Sequence, residues 1–159
     1  MSHHDQPLWA PAVPSTLWPQ VRDVLKSHPT LDLNGFNNIA VKLRRDDRHQ
    51  FAEQYIPEVL GALMFVDDLL PRCRRTKPRD GAPSSYWLKH MAEAWHTSEG
   101  RSVYVSNGAF LVACILRGVQ MHPSGGLNAG IALHRGDVTK NNTRIAMACF
   151  ARRRMEARA

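Results

Sequence analysis

Ten cationic side chains fall in two short stretches: Arg72, Arg74, Arg75, Lys77 and Arg79 in the first, and Lys140, Arg144, Arg152, Arg153 and Arg154 in the second. Rows of guanidinium and ammonium groups suit the neutralising of phosphates, since each contact releases condensed counterions. Residues 71–85 set five cations against Asp80 for a net +4. Residues 135–159 add Arg135 and Arg158, against Asp137 and Glu156, for a net +5. The whole chain carries +7, so everything outside the two stretches sums to −2. The competing account is a solvated linker and a frayed terminus whose charge merely aids solubility. It is the concentration of charge, more than its total, that points to a polyanion partner.

A second group, Lys89, His90, Ser106 and Asn107, is a candidate anion or partner contact. A helix beginning at Ser106-Asn107-Gly108 leaves backbone N–H groups free for a phosphate or carboxylate, and Lys89 and His90 would add positive charge. The plainer account is preferred: Ser106 caps the helix, Asn107 closes the turn and Lys89 is solvated.

Other chemistry finds little support. The three cysteines, Cys73, Cys114 and Cys149, are odd in number and far apart, which fits reduced thiols better than a disulfide framework. Cys114 and Cys149 sit in apolar runs and read as inert core thiols. Cys73, between Arg72 and Arg74, is expected to be exposed with a lowered pKa, reactive but without a local catalytic partner. Asp46-Asp47 and Asp67-Asp68 read as a helix cap and a helix terminus rather than acid–base pairs. Eight histidines include no metal-ligand spacing; His90 and His96 are six apart, and His90 with Glu93 is only half a motif. No catalytic motif is present, so a non-enzymatic protein without cofactor or metal is expected. Trp9, Trp18, Trp87 and Trp95, with Tyr86 and Tyr104, could stack on unpaired bases. Helical spacing makes Trp87 and Trp95 better core anchors.

The elements that must position these groups are mainly helices. With 159 residues, 43% of them hydrophobic, the chain suits one compact helical domain. A small β element is expected in the C-terminal half, with α+β as the runner-up class. Residues 1–14 read as an extended segment, Trp9 docking on the body. Ser15 is the expected cap of a helix through Trp18, Val21 and Leu25 that ends at His28-Pro29. Asn34 would cap a short helix through Phe36, Ile39, Ala40 and Leu43. Asp46 or Asp47 would open a long helix with Phe51, Tyr55, Val59, Leu63, Val66 and Leu70 on one stripe, kinked or divided at Pro57.

Residues 71–85, with Pro71, Pro78, Gly81 and Pro83, read as a basic internal linker inside one domain. Ser84 or Ser85 then caps a helix burying Trp87, Leu88, Met91 and Trp95, with Lys89 and Glu93 paired on its other side. Ser106 opens a helix that is apolar all round, the most buried one, ended by Gly118. A strand at 103–105 is expected to pair with one at 129–134. Residues 141–159 read as a basic C-terminal helix. The helices at 85–97 and 106–118 are joined by eight residues, where a DNA-binding helix-turn-helix uses about 3–4. The second of them is also too apolar for a groove.

Two runs carry a resemblance. Ser85-Tyr86-Trp87-Leu88-Lys89-His90, followed by Tyr104-Val105-Ser106-Asn107-Gly108-Ala109-Phe110, resembles a module of small, mostly uncharacterised proteins of bacterial phages, plasmids and other mobile elements. That module reads Ser-Tyr-Gly-Leu-Lys-His and then Tyr-Ile/Val-Ser-Asn-Gly, so Trp87 stands where it has glycine. The resemblance covers residues 85–119. It implies a bacterial mobile-element setting, and with it either DNA transactions or action against host defence. The absence of a long apolar run and of a signal-peptide pattern points to a cytoplasmic protein without a membrane partner. The expected function is nucleic-acid or nucleoprotein binding through the basic segments. The alternative is an anti-defence inhibitor or adaptor, such as an anti-CRISPR, docking on a host protein.

Overall fold

A computed structural model describes residues 11–37 and 50–158. Among them are five helices and two small two-stranded sheets, so the chain is mainly α with minor β elements. The expectations for Trp9, for Ile39, Ala40 and Leu43, and for an Asp46 or Asp47 cap lie outside the described residues.

Helix α1, Leu17–Ser27, buries Leu17, Val21 and Val24, and His28 closes it as expected. Its cap position is Thr16 rather than Ser15, and no side chain bonds there; the Leu17 N–H instead donates to the Pro14 carbonyl. The helix expected from Asn34 is replaced at its start by a hairpin, β1 (Leu31–Asp32) against β2 (Gly35–Phe36). Gly35 has φ 125°, a conformation that favours glycine and turns the chain there. Helix α2, Ile56–Leu69, begins just before Pro57, so the proline lies in the first turn and neither kinks nor divides the helix. Phe51 and Tyr55 therefore precede it, and Ile56, Val59, Leu60, Leu63, Phe65, Val66 and Leu69 form its buried set.

Helix α3, Ser85–Ser98, starts where Ser84 accepts a hydrogen bond from the Trp87 N–H. Helix α4, Asn107–Leu116, starts where Ser106 accepts one from Ala109. All of α4 from Asn107 to Cys114 is buried, packed against α1, α2 and α3, and Gly118 at φ 62° ends it. Phe65 joins the central helices through rings 6.4 Å from Phe110 and 6.0 Å from Trp95. The hairpin closes on the N-terminus of α4 so tightly that a Cβ on Gly108 would run into the Asp32 carbonyl.

The second sheet pairs β3 (Met121–Pro123) with β4 (Ala129–Ile131). Residues 103–105 form no strand, and β4 takes its partner from the adjacent turn, a shorter route than across α4. Helix α5, Arg135–Glu156, begins six residues before the expected 141 and lies against α3. Its buried row is Val138, Asn141 and Ile145. No helix among the described residues is long and apolar enough to cross a membrane.

Candidate nucleic-acid interface

Residues 71–85 do not hang between two halves of the molecule. After the turn at Leu70–Arg72 the chain runs extended along the β4 region. Bridges join Arg75 to Leu133 and Ser84 to Gly130. The Thr76 N–H donates to the Ala132 carbonyl at 2.9 Å, and the His134 N–H to the Arg74 carbonyl at 2.8 Å. Cys73 anchors this strip. It is buried, with the Asn141 amide 3.6 Å from its Sγ, and burial pushes the thiol up to about 11. The expectation of an exposed, low-pKa cysteine is thereby reversed. Flanking arginines lower a thiol's pKa only when they face it; Arg72, at the end of the turn, and Arg74, on the extended strip, are exposed, while Cys73 between them is buried.

The strip places the first basic stretch beside the second. Asp68, at the end of α2, accepts from Arg72 at 3.3 Å and from Arg144 at 2.6 Å, one arginine from each stretch. Asp137, in the first turn of α5, accepts from the Arg74 Nε at 2.9 Å and from the Arg74 backbone N–H at 3.1 Å. These bonds hold the Asp137 carboxyl well below the usual carboxylate range. Arg135 donates to the Gly81 carbonyl at 3.1 Å, and its guanidinium lies 5.9 Å from the Trp87 ring centre.

The ten cations expected to contact phosphate divide by what they already hold. Arg72, Arg74 and Arg144 are in ion pairs with Asp68 and Asp137, and Arg152 pairs with Glu156 at 2.8 Å. Arg75 donates to the carbonyls of Gly118 and Arg117, where the α4 carbonyls run out. Arg154 lies 5.8 Å over the Phe150 ring. Lys77, Arg79, Lys140 and Arg153 are exposed, and among the described residues their side chains have no hydrogen bond or ion pair; Arg158 is in the same condition. Between Asp137 and Glu156 the chain has no acidic residue. The two stretches meet along the N-terminal half of α5, which keeps an excess of positive charge after its internal pairs are counted. Arg153, Arg154 and Arg158 lie on the C-terminal half, beyond the contact of Cys149 with Ala94 on α3.

The second candidate group is brought together differently. Lys89 is not solvated: it is 6% exposed, bonded to Glu93 at 3.1 Å and close to the rings of Tyr86 and Tyr104. His90 shares Glu93 at 2.8 Å. Glu93 also accepts from the Val105 N–H, and Glu58 on α2 accepts from the Ser106 N–H. Asn107 donates to the Asn34 and Leu127 carbonyls and to Asn128. At the α4 N-terminus, the Gly108 N–H donates to the Leu33 carbonyl and the Ala109 N–H to Ser106. The N–H groups of Val105, Ser106, Gly108 and Ala109 and the side chains of Lys89, His90 and Asn107 already have internal partners, so this group fastens the hairpin and α3 to α4.

Glu58 and Asp68 went unnoticed as acceptors in the sequence, whereas the expected pairing of Lys89 with Glu93 is formed. Only Asp68 left a trace there, as a carboxylate shortly before the first basic stretch. Among the described residues no group of histidine, cysteine, aspartate and glutamate is placed to hold a metal. An open hollow of about 650 Å3, lined by Val13, Trp18, Ile56 and Pro57 among others, includes none of these cations. Comparison with protein-family profiles, curated proteins and solved structures finds no match to this chain in any of the three.

Proposed function

We propose that this is a non-enzymatic protein that binds nucleic acid through its phosphate backbone, largely without sequence preference. The observation that carries the proposal is the convergence of the two basic stretches, tied at Asp68 and at Asp137. A protein that reads shape and charge needs a continuous cationic track more than base-edge contacts. Lys77, Arg79, Lys140, Arg153 and Arg158 supply the free charges of that track. The paired arginines add a second tier, since a guanidinium holding one carboxylate oxygen keeps further N–H donors. Such contacts call for no cofactor. The setting we attach to this function is the cytoplasm of a bacterium carrying a phage, plasmid or other mobile element, on the strength of the 85–119 resemblance.

A mobility-shift titration with duplex DNA, single-stranded DNA and RNA tests the proposal. The expected outcome is binding at low salt to at least one of them, and at least tenfold weaker binding by the variant Lys77→Glu/Arg79→Glu/Lys140→Glu. These side chains are exposed and have no hydrogen bond or ion pair among the described residues, so the variant should fold normally. Absence of binding to all three probes at low salt would sink the proposal.

A further inference from the structure

Three large apolar side chains stand out of the C-terminal half of α5: Met147 is 68% exposed, Phe150 62% and Met155 72%. They are ordered along the helix. Met147, Ala151 and Met155 follow at steps of four, and Phe150, Arg154 and Arg158 form the adjacent row. The opposite side of α5 holds Val138, Asn141, Ile145 and Cys149, the row that faces the body, where the Cys149 thiol donates to the Ala94 carbonyl. Phosphate contact accounts for the arginines. It gives no reason for a line of methionine and phenylalanine facing water, because backbone contacts are made by cations and hydrogen-bond donors. An apolar stripe rimmed by charge is the usual mark of a protein partner's site.

We propose that this stripe is a docking surface for an acidic amphipathic helix of a partner protein. The partner's apolar row would lie on Met147, Phe150 and Met155, with its carboxylates on Arg153, Arg154 and Arg158. Charge complementarity selects this occupant. The acid nearest the stripe, Glu156, is already held by Arg152 at 2.8 Å. A second copy of α5 would bring the same arginines against these, and the α5 N-terminal half is cationic too, so neither orientation of self-pairing relieves the repulsion. Arg154 is set over the Phe150 ring, at the rim of the apolar contact, where a carboxylate can reach it without losing all its water. This proposal shares Arg153 and Arg158 with the phosphate-binding one and goes beyond it in the apolar side chains on which it rests.

The test uses labelled synthetic peptides of about 20 residues with leucine at helical spacing, flanked either by glutamate or by lysine, at about 0.15 M salt. Fluorescence anisotropy should show saturable binding of the glutamate peptide and at least tenfold weaker binding of the lysine peptide. The variant Met147→Ser/Phe150→Ser keeps every charge. It should lose the glutamate peptide at least tenfold while its melting temperature and its nucleic-acid mobility shift stay unchanged. Equal peptide binding by this variant and the parent chain, or no binding by either, would overturn the proposal. So would a concentration-dependent dimer in sedimentation that the double variant abolishes, which would name a second copy as the occupant. Flotation with anionic vesicles, lost in the double variant and without peptide binding, would name a lipid surface instead.

Discussion

At Asp68 two arginines more than seventy residues apart share one carboxylate, and the consequences of removing it run in opposite directions. Asp68→Asn should lower stability by about 1 kcal/mol or less, because partly exposed pairs contribute little. The same change frees two guanidiniums and removes a negative charge, so affinity for nucleic acid should rise; urea melts and mobility shifts read the two effects separately. Two buried or paired groups set the response to acid. Burial lowers the pKa of His96, whose ring lies 2.9 Å from the Gly61 carbonyl, so the unfolded chain takes up that proton first. Stability should therefore fall as pH drops below about 6.5. Asp137 is depressed in the folded state, so its contribution is complete above about pH 4 and is lost as pH falls through the carboxylate range. Urea midpoints against pH should show both limbs, and Asp137→Asn should flatten the lower one only. The cysteines supply a further check. Cys73 and Cys114 are buried with raised pKa, whereas Cys149 is half-exposed. Alkylation mapped by mass spectrometry should label Cys149 first, and the other two only once the chain is unfolded.

Among the elements, those set by local chemistry were readable in the sequence. Ser84 and Ser106 cap α3 and α4, Gly118 ends α4, and the apolar run 107–116 is the buried helix, because each of these depends on neighbours within a turn. What escaped depends on docking. Asn34 and Phe36 form a hairpin because Gly108 on α4 leaves room for the Asp32 carbonyl, a contact across more than seventy residues. Lys89 is buried because Tyr86, Tyr104 and Glu93 enclose it, and the segment of Tyr104 and Val105 reaches α3 only once α3 and α4 have packed. Cys73 changed from reactive to inert for the same kind of reason: its strip lies on β4 instead of standing in water. Gly108→Ala tests the docking directly. Overpacking of a close backbone contact should cost about 1–3 kcal/mol in a denaturant melt. Gly126→Ala, where the added methyl meets open space, should cost far less.

For the whole molecule, a near-neutral body and two basic stretches were legible from the charge sequence, while their union at Asp68 and Asp137 was not. The sequence separates the stretches by more than fifty residues, and only the course of 71–85 along β4 brings them together. That union is the central claim, and the salt dependence of nucleic-acid affinity tests it most directly. Each phosphate contact adds about 0.9 to the slope of log K against log salt. The parent chain should show a steep slope, and Lys77→Glu/Arg79→Glu/Lys140→Glu, which takes cations from both stretches, a slope shallower by about 3. A slope that is the same in both, or no measurable binding at low salt, would contradict the account.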